Sequence, residues 1–153
     1  MGKTQDLIDA ARAVIRLSRM FERSFADLSL AHYRVLASVA AGDEQASRVA
    51  ARLALAKPTI SASVEALCQR GLLVRDQRSG DQRAVRLRVT PAGEQVLADT
   101  EAAMLARFAK VLERLDDPEA TVRGLAELGP VLDALADERL ASRLGTRAAQ
   151  DAR

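Results

Sequence analysis

The chain of 153 residues is poor in the side chains on which most protein chemistry rests: it has one cysteine, one histidine, no tryptophan, and aromatics amount to 3%. With Cys68 alone, an internal disulfide and a cysteine-cluster zinc site are both excluded. With one His and one Cys there is no metal constellation. No Ser-His-Asp set, glycine-rich phosphate loop or paired carboxylates stands out either, so neither catalysis nor a cofactor is expected. So few aromatics mean a core built from many small aliphatic contacts, which suits a helical protein better than a β-sandwich. No apolar run approaches the ~18 residues of a membrane span. The start, Met1 to Asp6, carries acid at once and lacks a signal-peptide core, so a cytoplasmic protein away from the membrane is expected.

What is present is alanine, leucine and arginine, unevenly charged. The formal net charge is only +2, but residues 43–93 hold nine basic against five acidic side chains, and residues 94–153 hold eight against twelve. The excess is sharpest where Arg70, Arg75, Arg78, Arg83, Arg86 and Arg88 face only Asp76 and Asp81. Positive charge concentrated along one surface is rewarded by counterion release when it meets phosphates, whereas the alternative is a solvated charged hairpin.

Periodicity places that charge on a recognisable series of elements. Leu7, Ile8, Ala11, Val14, Ile15, Ser18, Phe21 and Phe25 recur at helical spacing, predicting a first helix over about 4–25. Ser29 is a good N-cap for a second helix through about Ala40, and Gly42 suits its end. Residues 46–54 read as a short helix, and Lys57-Pro58 opens the next, because proline in a first turn has no donor to leave unsatisfied. Ile60, Val64, Leu67 and Cys68 form its buried stripe, while Lys57, Thr59, Ser61, Ala62, Ser63 and Glu65 are expected on the opposite face. Gly71 ends it. Leu72-Leu73-Val74 and Val85, Leu87, Val89 alternate as paired strands around a Ser79-Gly80-Asp81 turn. After Pro91 a long helix runs to about Asp116. Asp117-Pro118 then starts a last helix to about Leu144, with a kink or brief break expected at Gly129-Pro130 and a frayed tail beyond.

A helix-turn-helix followed by a basic hairpin is the order of a winged helix, whose second helix enters a major groove and whose ribbon reaches a minor groove. The fold expected is mainly α: a winged helix-turn-helix over 29–93 with a two-stranded β wing, a long connecting helix over 94–115, dimerisation helices over 1–28 and 116–145, and a tail over 146–153. The first and last helices carry more apolar stripe than so small a unit can cover, so they are expected to pack on each other and on a second copy.

Several stretches resemble the MarR family of bacterial transcription regulators: Leu28 to Leu36, Lys57-Pro58-Thr59-Ile60-Ser61, Leu67 through Arg75, and Asp81-Gln82-Arg83 with Val89-Thr90-Pro91-Ala92-Gly93. The resemblance spans residues 5 to 143. It implies a homodimeric DNA-binding repressor, released by a small aromatic or anionic ligand, that reads an inverted repeat in double-stranded DNA. Two positions depart from the pattern: Ala62, where arginine or lysine commonly follows the serine, and His32, where glutamine is common.

The DNA-binding candidates are thus Lys57, Pro58, Thr59, Ser61 and Ser63 on the recognition helix and Arg78, Arg83 and Arg86 on the wing. Thr59, Ser61 and Ser63 lack bidentate geometry, and Lys57 suits a phosphate better than a base. Arg83 is either a minor-groove finger or a salt-bridge partner of Asp81. Arg16, Arg19 and His32 are the candidates for lining a ligand site. His32 alternatively returns a capping bond to Ser29. Cys68 reads as a core thiol, with a redox switch as the competing reading. Ala62 supports a further rival, a winged-helix protein-interaction module without DNA recognition.

Overall fold

The computed structural model describes residues 2–26, 28–42, 45–76 and 86–151. The elements in chain order are α1 Gly2–Glu22, α2 Leu30–Ala40, α3 Ala46–Leu53, α4 Lys57–Gln69, β1 Leu73–Asp76, β2 Arg86–Val89, α5 Pro91–Leu112 and α6 Pro118–Asp151. The two strands pair antiparallel, Leu73 opposite Val89 and Asp76 opposite Arg86. The winged helix-turn-helix read from the sequence is therefore present. The Ser79-Gly80-Asp81 turn and Val85 lie outside the described residues.

The core sits where α2, α3 and α4 meet the wing. Val35 and Leu36 of α2, Val49 of α3, Ile60, Val64 and Leu67 of α4, and Leu73 and Leu87 of the strands are all essentially inaccessible. Burying each such side chain contributes about 1.5–3 kcal/mol, so this small cluster is what fixes the three helices in one arrangement. Ser29 starts α2 by accepting a hydrogen bond from the His32 backbone N–H at 3.1 Å.

The helix ends explain how the chain turns. At the end of α4, Gly71 takes φ +69, its N–H donates to Cys68 O, and Leu72 N–H donates to Leu67 O, both at 2.9 Å. This reciprocal pair satisfies the last carbonyls and lays Leu72 beside Leu67, both buried. At the end of α3 the left-handed position is instead Ala54, φ 52, with Leu55 N–H donating to Ala50 O at 3.2 Å. Arg34 of α2 supports that turn by donating to Leu53 O at 3.1 Å, a cation placed on the negative end of α3.

Thr90 joins the wing to α5. Its hydroxyl donates to Gly71 O at 2.6 Å and accepts from Gly93 N–H at 3.0 Å, while its own N–H donates to Leu72 O at 3.1 Å. Gly93 is needed there because a Cβ would collide with the Leu72 carbonyl oxygen and stand 2.8 Å from Val89 Cγ1.

The last helix differs from expectation. It continues through Pro130 to Asp151 without the break or the frayed tail that the sequence suggested. Pro130 has no N–H to give to the Ala126 carbonyl, but Ala126 and Pro130 are both exposed, so the helix loses a single bond at a solvent-facing position. Within the chain α6 lies chiefly against α3, with Arg52 Nη2 3.0 Å from Asp133 Oδ2, while α1 lies against α5. Packing of α1 on α6, expected from their stripes, is thus not the main contact of either helix. No residue of α1 is buried. Large apolar side chains stay open along it and along α6, with Leu7 71%, Ile15 60%, Val131 56% and Leu132 62% exposed. Among the described residues no helix is long and apolar enough to cross a membrane.

Candidate nucleic-acid interface

α4 begins at Ala56 without a side-chain cap, so its first N–H groups and the positive end of its dipole face outward beside Lys57 and Pro58. Lys57, Pro58, Thr59, Ser61 and Ala62 are exposed, as a groove-facing surface requires. Ser63 does not belong with them, since it is only 5% exposed. Its position explains this: it stands three residues after Ile60 and four before Leu67, inside the stripe that α4 turns to the core.

The wing brings its arginines against acids that sequence order alone does not pair. Arg75 Nη2 lies 2.9 Å from Glu65 Oε2 on α4, and Arg88 Nε lies 3.3 Å from Asp76 Oδ2 on the facing strand. The first pair is solvent-exposed and ties the hairpin to the recognition helix, the second, with Asp76 partly buried, ties the two strands together, and both act more through geometry than through energy. Arg86 is exposed on β2, and its backbone also forms an isolated bridge with Gln45 just before α3. Arg78 and Arg83 lie outside the described residues.

The ligand-site candidates are not brought together. Arg16 lies with Asp9, Arg12 and Ile15 in a shallow groove along α1 itself, and Arg19 is exposed in that helix's last turn. His32 makes no return bond to Ser29, because its buried Nδ1 has no hydrogen-bond partner. A different cleft, of about 230 Å³, opens where α1, α2 and α5 meet, lined by Phe21, Tyr33, Glu101, Met104, Leu105 and Phe108. Phe21 and Phe108 meet edge to face at 5.8 Å, and Phe25 stacks on Tyr33 at 5.0 Å. Burial pushes the Tyr33 phenol above its ordinary value, and the charge of Glu101 and a hydrogen bond to its carboxylate raise it further. The available signal for this cleft was the scarcity of aromatics: three phenylalanines and one tyrosine make up the whole supply, and all four gather here.

Cys68 is free and half-buried against the core. Burial pushes its thiol up, the Arg75 guanidinium draws it part of the way back, and Glu65 adds to the rise. A thiol so shifted carries little thiolate at neutral pH, which opposes a redox-switch role.

The architecture agrees with what known proteins show. A family model for a winged helix DNA-binding domain matches residues 28–93. A search of curated proteins finds no match. Among solved structures, the transcriptional repressor CouR bound to a 23-mer DNA duplex is 27% identical, with 86% of this chain and 96% of that chain covered and a TM-score of 0.69. CouR from Rhodococcus jostii RHA1 bound to p-coumaroyl-CoA is 23% identical over 82% of this chain and 87% of that one, TM-score 0.65. A MarR-family transcriptional regulator from Rhodococcus sp. RHA1 is 21% identical over 89% and 95%, TM-score 0.70. The chain thus carries a winged helix DNA-binding domain over residues 28–93 and shares its overall fold with solved transcription regulators, MarR-family members among them.

Proposed function

We propose that the protein is a homodimeric repressor acting in the cytoplasm, which binds an inverted-repeat operator and leaves it when a small molecule occupies the α1–α2–α5 cleft. The observation that carries this reading is the uncapped, exposed start of α4, where Lys57, Thr59 and Ser61 stand beside a basic hairpin. Lys57 and the free N–H groups of that first turn suit phosphate oxygens, and Thr59 and Ser61 suit short-range base or backbone contacts. Arg86 on the wing, with Arg78 and Arg83 in the sequence between the two strands, would supply the charge for the neighbouring groove. Ala62 removes one long side chain from the helix, which shifts the work of discrimination toward the wing.

Two copies support the operator geometry. The open apolar residues of α1 and α6 suit burial against a second chain, and a two-fold dimer presents two recognition helices to half-sites about one helical turn, ~10 bp, apart. Release by a small molecule is supported by the cleft's position between the helix that carries these residues and the α2 base of the DNA-binding lobe. CouR, solved both with DNA and with p-coumaroyl-CoA, has this fold. The test is selection of bound duplexes from a random pool followed by footprinting. Two symmetric protected segments are expected, with affinity falling steeply with salt. Failure to enrich any duplex would favour the protein-interaction module instead, and a single asymmetric half-site would overturn the dimeric reading.

A further inference from the structure

We infer that the α1–α2–α5 cleft selects a small aromatic cation, with Glu101 as the residue that reads its charge; the inference rests on the reading of that cleft as the ligand site.

All four aromatic rings of the chain line or back this one cleft, although rings are otherwise absent from the core. Ring faces carry the negative side of a quadrupole, so a cluster of them attracts a cation as well as apolar surface. Met104 and Leu105 complete an apolar wall, and Met104 adds a polarizable sulfur. The one charged side chain in the lining is Glu101. Among the described residues no basic side chain forms an ion pair with it. The Tyr33 phenol shares the lining with that carboxylate and is neutral, so it leaves the charge in place. An aromatic carboxylate or sulfonate entering the cleft would be placed beside an uncompensated negative group.

The charge distribution along α5 sharpens the contrast. A second cleft, of about 390 Å³, lies farther along the same helix, where Arg107, Lys110 and Arg114 surround Met20, Val111 and Leu115. Anions are drawn toward that end of α5 and cations toward the aromatic end. At about 230 Å³ the aromatic cleft is smaller than the roughly 300–1,000 Å³ of drug-sized sites, which fits a single ring bearing an ammonium group.

The probes are phenyltrimethylammonium, its neutral isostere tert-butylbenzene, and benzenesulfonate, each titrated into the full chain by calorimetry. Emission is read in parallel, because Tyr33 is the only tyrosine and there is no tryptophan, so the signal arises in the cleft itself. The cation is expected to bind at least about tenfold more tightly than either comparator. Glu101→Gln, at an exposed position, should remove about that factor for the cation and leave the neutral probe unchanged. Glu101→Lys should admit benzenesulfonate, and Phe108→Ala should weaken the cation and the neutral probe together. If the neutral probe binds as tightly as the cation and Glu101→Gln changes nothing, charge selection is overturned while the ligand site stands. If no probe binds, or Phe108→Ala has no effect on those that do, the cleft is not the ligand site and both readings fall.

Discussion

At the scale of the residue, Tyr33 offers the cleanest measurement in the molecule. Burial and the Glu101 carboxylate both oppose phenolate formation, so its titration should lie above the ordinary 10.0. A folded-state value above the unfolded one means that the native state holds the proton more tightly. That contribution to stability is complete below pH 10 and is lost as pH rises through the folded value. Phenolate absorbance should therefore appear late in the folded protein, and Glu101→Gln should bring it back toward 10.0 without restoring it fully, since burial is the larger cause. An unchanged midpoint in that variant would contradict the contact. Single residues were the least legible part of the sequence. Exposed Lys57 and Thr59 follow from helical phase, but Ser63 is buried where the pattern places it outside, because a short polar side chain gives the apolar pattern no signal. The Arg75–Glu65 pair joins two elements ten residues apart, and no local spacing rule reaches across them. Arg16, Arg19 and His32 share a chemistry but not a site, because chemistry does not say which helix faces meet.

Elements were far more legible, because each announces its ends. Ser29, Pro58, Gly71 and Thr90-Pro91 mark starts and stops whose hydrogen bonds the structure contains. The departure is α6, which runs through Pro130 because a solvent-facing proline costs a helix of 34 residues only one bond. The junction between wing and α5 is the element most exposed to a single substitution. Gly93→Ala drives a methyl group into the Leu72 carbonyl and Val89, so α5 must move off the end of α4 or the wing must open. Overpacking of this kind typically costs about 1–3 kcal/mol, and the expected result is a lower denaturation midpoint with DNA affinity reduced through wing displacement. Gly124→Ala, with open space around its Cα, is the control and should leave the midpoint the same or raise it. Equal behaviour of the two variants would show that the Thr90–Gly93 corner is not tight.

For the whole molecule, the open apolar faces of α1, α5 and α6 are the main unfinished business of the single chain. Leu7, Ile15, Leu105, Val131 and Leu132 are each more than half exposed, and a monomer carrying them all at once would be poorly soluble. Sedimentation at micromolar concentration should give twice the chain mass. Removing residues 1–25 should give an unfolded or insoluble product, because Phe108 would lose Phe21 and the core would lose Phe25. A well-behaved monomer in either experiment would refute this account. The seat of α6 on α3 matters here in a mechanical sense. Asp133 holds Arg52 on the helix just before the turn into α4, while the apolar residues around Val131 and Leu132 point outward. A long rod seated on the reading head behaves as a tiller. In the proposed dimer, a second chain settled on that outer side would turn α3, and α4 with it, so the half-site spacing would be set some distance from any residue that touches a base.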